Sequence, residues 1–94
     1  MPAVTKDSVF VQTKEQVSCD LDGEAVILNH RKGVYYGLDP VGARVWDRLQ
    51  KPASVDQIKE MILNEYHVDP RRCERDLLKI LRELRAEGLI ETKG

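Results

Sequence analysis

Aromatic residues are few in this chain of 94 residues: one Trp, one Phe and three Tyr, of which Tyr35 and Tyr36 are adjacent. Cysteine is nearly absent. Cys19 and Cys73 stand far apart, in no CxxC pair and beside no histidine, which excludes a disulfide-stapled scaffold and a zinc ribbon and predicts two unpaired thiols in a reducing cytoplasm. An excess of one charge is also missing. Fifteen Lys and Arg against sixteen Asp and Glu give a formal net charge of -1, so no global field draws the chain to nucleic acid or an anionic membrane, and any basic site must be local. Long apolar runs are lacking too. Nothing approaches the roughly 18 residues of a membrane span, and MPAVTKDSVFVQTKEQ has no signal-peptide core, so a soluble cytoplasmic protein without a membrane partner is expected.

The motifs of catalysis are equally thin. There is no GxSxG, no P-loop and no GxGxxG. His30 and His67 fall in different elements, outside any metal-ligand spacing, whereas a zinc site needs three or four convergent ligands. Asp20 and Asp22 read as turn residues with nothing nearby to act on. The expectation is no enzyme, no cofactor and no metal.

What is present is ordered patterning. Val9–Val11 is a short apolar run; Val17, Cys19 and Leu21 alternate with polar residues at the period of a half-buried strand. Asp22-Gly23 signals a hairpin, Ala25–Leu28 reads as the next strand, and Lys32-Gly33 permits a second reversal into Val34–Leu38. These three strands predict an antiparallel meander whose last strand is an edge. Asp39-Pro40 then opens a helix with Asp as N-cap and Pro at the first position, its apolar residues Val41, Val45, Trp46 and Leu49, and Lys51-Pro52 stops it. Ser54-Val55-Asp56-Gln57 is a capping box before a helix with Ile58, Met61, Ile62 and Tyr66 on one face. Asp69-Pro70 starts the longest helix, 70–87, on which Cys73, Leu77, Ile80, Leu81 and Leu84 share one arc. Gly88 is a natural C-cap and 89–92 can close the fold as a strand. One α+β domain over 1–94 is expected, a winged helix-turn-helix with a three-stranded meander followed by three helices.

Two surfaces could bind a macromolecule. The third helix carries Arg71, Arg75, Arg82 and Arg85 on one flank, as a DNA-reading helix does, but Asp76, Glu83 and Glu87 occupy the other, and the closing Glu91-Thr92-Lys93-Gly94 is no basic wing. Mixed charge on a solvated helix explains the same residues. The strand 34–38 is the second surface. Edge strands are usually blunted by charge or Pro, and this one carries neither. Alternation places Val34, Tyr36 and Leu38 toward the helices and Tyr35 outward. An uncharged edge beside a long helix suits an extended peptide, with main-chain pairing for affinity and a crevice for side-chain choice. Many small sheets have such an edge, so the residues alone leave this open against a purely structural role.

The run from Glu24 to Leu49 closely resembles the PqqD-like family. Its pattern is met by Val26, Leu28, Asn29, Gly33, Tyr35, Tyr36, Leu38, Gly42, Val45, Trp46 and Leu49, and continues through Ser54–Ile58, Tyr66–Asp69, Leu81–Leu84 and Gly88–Ile90, over a core of 17–91. Asp39 stands where Asn is commoner and keeps a capping side chain. The resemblance implies a RiPP recognition element, a non-catalytic domain to which the leader of a ribosomally made precursor peptide adds as a strand, at the third strand of the meander and against the third helix. By that resemblance the peptide site is Lys32, Gly33, Val34, Tyr35, Tyr36 and Gly37 with Arg75, Asp76, Leu77, Lys79 and Ile80. A free-standing domain with the extra run 9–13 looks most like the leader-binding partner of lasso-peptide biosynthesis, which delivers a precursor to a leader peptidase, with a cyclase acting afterward. A peptide chaperone for a radical-SAM enzyme of pyrroloquinoline-quinone biosynthesis, and a winged-helix DNA-binding regulator, remain the alternatives.

Overall fold

The computed structural model describes residues 5, 7–14, 16–21, 24–29 and 31–93, with backbone alone at 17, 20 and 21. The Asp22-Gly23 turn and His30 lie outside the described residues. The predicted meander is present: β2 (Gln16–Leu21), β3 (Glu24–Asn29) and β4 (Val34–Leu38) pair antiparallel in that order, with Val17, Leu28 and Tyr35 in one row and Ser18, Ile27 and Tyr36 in the next. The reversal into β4 rests on Gly33, whose φ of 67° lies in the left-handed region that glycine enters without a Cβ clash. On the described sheet β4 is an edge.

The helices begin where their caps predict. In α1 (Pro40–Arg48) the Asp39 carboxylate accepts from the Gly42 amide at 2.7 Å. In α2 (Val55–Glu65) both halves of the capping box form: the Gln57 amide donates to Ser54 Oγ at 3.1 Å, and the Ser54 amide to Gln57 Oε1 at 2.9 Å. The Asp69 carboxylate accepts from Arg71 N at 2.8 Å to start α3 (Pro70–Ala86). That helix ends in a Schellman arrangement around Gly88 (φ 73°), with Gly88 N donating to Arg85 O at 3.0 Å and Leu89 N to Leu84 O at 2.9 Å. The turn sends the chain directly into the closing strand.

A second sheet is the main difference from the sequence expectation. The apolar run near the start is β1 (Val9–Gln12), and it is the centre of a three-stranded sheet, order β5-β1-β6, between the two-residue β5 (Ala53–Ser54) and β6 (Ile90–Thr92). The element order is therefore β-β-β-β-α-β-α-α-β, with β5 inserted before the capping box. The sheet forms because Phe10, Ala53 and Ile90 are all buried and need a common cover. One core joins both sheets to the helices: Ile27 and Leu38 from the meander, Phe10 and Ile90 from the second sheet, and Val45, Leu49, Ile58, Leu77, Leu81 and Leu84 from the helices.

Candidate functional site: the crevice between β4 and α3

Helix α3 runs alongside β4 in the opposite direction, and polar contacts fix its C-terminal end to the sheet. Asn29, buried at the end of β3, donates from Nδ2 to the Glu87 carbonyl oxygen at 2.7 Å, while its Oδ1 accepts from the Arg31 and Lys32 amides at 3.0 and 3.2 Å. One side chain thus satisfies both the turn into β4 and an otherwise orphaned carbonyl of the helix end. Lys32 Nζ lies 3.4 Å from Glu87 Oε2. Tyr36 spans the crevice, its hydroxyl donating to Glu83 Oε2 at 2.9 Å. Partial burial and the acceptor carboxylate of Glu83 push the Tyr36 phenol up to about 12.

The other end of the crevice is open. Beyond Leu38 it widens into a cavity of about 400 Å³ lined by Val41 and Val45 of α1, Ile62 of α2, Val68 of the α2–α3 connection, and Cys73, Leu77 and Ile80 of α3. Polar groups ring this apolar floor: Asp39, His67, Asp69, Arg72 and Asp76. The shape is an apolar socket with a polar rim, the usual form of a site that takes a side chain or small ligand. Burial raises the Cys73 thiol above its ordinary value and keeps it protonated. Among the described residues no group of His, Cys, Asp and Glu could hold a metal ion, and no helix is long and apolar enough to cross a membrane.

These contacts fix which flank of α3 faces the strand. Arg72, Asp76, Ile80, Glu83 and Glu87, spaced four, four, three and four residues apart, form one flank. Three of them line the cavity and the other two bond to residues of the β4 hairpin. The acidic flank therefore lines the crevice. Arg71, Arg75 and Arg82 are exposed on the remaining surface.

Of the residues expected at the site, Lys32, Gly33, Val34, Tyr36 and Gly37 lie along the edge and its turn, and Asp76, Leu77 and Ile80 converge on the cavity. Leu77 is fully buried and contributes floor, whereas Ile80 is half-buried. Val34 is not packed in with Tyr36 and Leu38; it is 47% exposed, at the start of the strand that forms the edge of the described sheet. Tyr35, 71% exposed, lies on the outer face of the meander beside half-buried Leu28, where half-buried Val26 and exposed Cys19 continue the row. Lys79 is exposed and stands outside the cavity lining; Arg75 is exposed on the outward flank, 3.9 Å from Asp76. Sequence reasoning missed Asn29, Glu83 and Glu87 as parts of the site, and Val41, Val68 and Arg72 as its walls. A buried Asn closing an apolar strand was a signal for the first.

Fold and crevice together define a small winged-helix α+β module whose sheet edge is open to an extended chain. Its family is that of coenzyme PQQ synthesis protein D (PqqD): the family model matches residues 24–90, most of the sequence, and the chain belongs to it. Two solved structures are similar. TbiB1, determined in complex with the TbiA(beta) leader peptide, is 37% identical with a TM-score of 0.81, over 89% of this chain and 98% of that one. A lasso peptide synthetase B1, determined with its leader peptide bound, is 26% identical with a TM-score of 0.76, over 87% of this chain and 96% of that one. No curated protein matches the chain by sequence.

Proposed function

We propose that this protein is a leader-peptide-binding domain of ribosomal peptide maturation, one that captures a lasso-peptide precursor in the cytoplasm and presents it to a separate leader peptidase, with a cyclase acting on the product. The observation that carries the reading is the uncharged edge of β4, open along its length beside a crevice that ends in an apolar socket. The likeness to two proteins solved with leader peptides supports it. The leader pairs through its main chain with 33–37 and becomes a fourth strand of the meander. Lys32, Gly33, Val34, Tyr35, Tyr36 and Gly37 flank it, and an aromatic or aliphatic leader residue enters the socket over Leu77 and Ile80, with Asp76, Arg75 and Lys79 along the rim. Burying such an anchor contributes roughly 1.5 to 3 kcal/mol, against an ordering cost of a few kcal/mol for a disordered leader. Affinity then depends on one or two anchors.

The role is non-catalytic, and the whole of 1–94 acts as one binding unit. The outer face of the meander, with Tyr35, Leu28 and Val26, stays free when the edge is occupied and is the surface through which the peptidase meets the loaded domain. The family model favours a second reading, a peptide chaperone for pyrroloquinoline-quinone synthesis. Fluorescence-polarisation binding of the leader encoded beside this protein tests the proposal, with Val34→Lys as control and a labelled DNA duplex as counter-screen. Saturable leader binding lost in folded Val34→Lys supports it; salt-sensitive duplex binding without leader binding overturns it.

A further inference from the structure

Glu83 ties Tyr36 to α3, and its placement also puts its charge beside the open edge. It projects from the crevice-facing flank of α3 at the middle of β4, where the Tyr36 hydroxyl holds it at 2.9 Å. That partner is neutral. The neighbouring carboxylate Glu87 has Lys32 at 3.4 Å, and Asp76 has Arg72 and Arg75 each at 3.9 Å, but no cation among the described residues lies within ion-pair distance of Glu83. Among the described residues Tyr36 of the β4 hairpin faces it directly, and Lys79 and Glu87 stand one turn away on its own helix. A carboxylate fixed by a hydrogen bond and given no counter-charge among the described residues, beside an edge that takes a strand, discriminates among the side chains of that strand.

We propose that Glu83 is a specificity-determining residue that selects a lysine or arginine at one position of the bound peptide; this rests on the leader-binding reading and deepens it. Spacing fixes which position. Glu83 and Asp76 are seven residues apart on α3, about 10 Å at about 1.5 Å per residue. An extended peptide covers that length in about three residues at about 3.4 Å each. Only alternate side chains face the helix, so the basic residue stands two or four positions from the apolar residue in the socket. The hydrogen bond to Tyr36 keeps the carboxylate in place before the peptide arrives, so little side-chain freedom is lost on binding.

The test is affinity selection from a random library of linear peptides about twelve residues long, on the purified wild-type protein, Glu83→Gln and Glu83→Lys. The wild type should enrich Lys or Arg at a fixed spacing of two or four from an aromatic or aliphatic residue. Glu83→Gln, whose side-chain carbonyl can still accept from Tyr36, should keep the apolar residue and lose the basic preference. Glu83→Lys should keep the apolar residue and select Asp or Glu at the same place. For one selected peptide and its Lys-to-Glu version, the wild type should favour Lys by about three- to tenfold and Glu83→Lys should reverse the order. Identical selections from all three proteins, or a wild-type selection with no basic position, would overturn the proposal while leaving peptide binding intact. No enriched peptide from folded wild type would overturn the leader-binding reading, and this proposal with it.

Discussion

The two ends of the crevice share α3 and differ in kind: β4 faces it at one end, and α1 and α2 face it at the other. At the turn end, Asn29, Lys32 and Tyr36 reach across to Glu87 and Glu83, and strand and helix are tied by hydrogen bonds. At the far end no such tie is made among the described residues; Val41, Val68 and Ile80 face a cavity of about 400 Å³. The tied end sets the separation and angle of the two elements. The open end leaves apolar surface uncovered, where a ligand gains most from the burial of its own. A groove needs both: without the ties α3 would close on the sheet or drift from it, and without the socket a paired strand would have little side-chain selectivity.

Either end of the crevice can be disabled separately. Ile80→Asp places a charge in the socket and should weaken leader binding by about tenfold or more, since an apolar anchor worth about 1.5 to 3 kcal/mol loses its wall; fluorescence polarisation reads the loss. Asn29→Ala acts at the tied end. It strips partners from the Glu87 carbonyl and two turn amides, and should cost about 2 kcal/mol in urea unfolding, with binding falling only because fewer molecules keep the crevice open. Tyr36→Phe removes one tie and should cost about 1 kcal/mol. Because the folded phenol is raised from 10.0 to about 12, its stabilisation is complete below pH 10 and lost as the pH climbs toward 12. The stability difference between wild type and Tyr36→Phe should therefore shrink across that window. The smallest effect is at Cys73. Exposed Cys19 should react readily with a thiol reagent and Cys73 slowly, and a peptide in the socket should slow Cys73 further without changing Cys19.

Much of this fold was legible because short-range chemistry governs it. Asp39-Pro40, Ser54 to Gln57, Asp69-Pro70 and Gly88 each specify a helix end through a bond made within a few residues, and the alternation in β2 and the glycine at 33 specify the meander and its edge. The second sheet was not legible. A two-residue strand such as Ala53–Ser54 has no period to detect, and the pairing of Val9–Gln12 with Ile90–Thr92 joins opposite ends of the chain. The site divided in the same way. The uncharged edge 34–38 could be read directly. The flank of α3 that faces it could not, because both flanks are charged and the choice depends on contacts such as Tyr36 to Glu83, 47 positions apart. Of the three residues expected at the rim, Asp76 lines the cavity, whereas Arg75 and Lys79 stand outside that lining, and Glu83 and Glu87 bond to the β4 hairpin through contacts no local pattern announces.

The most direct test of the central claim is residue-resolved amide hydrogen exchange of the protein with and without the leader peptide. Strand addition is expected to protect the alternate amides of Val34–Leu38 that point away from β3, and to leave those of β2, at the opposite edge of the meander, unchanged. Saturating leader that leaves the β4 amides exchanging as in the free protein, or that protects the outward flank of α3 around Arg71 and Arg82 instead, would contradict it.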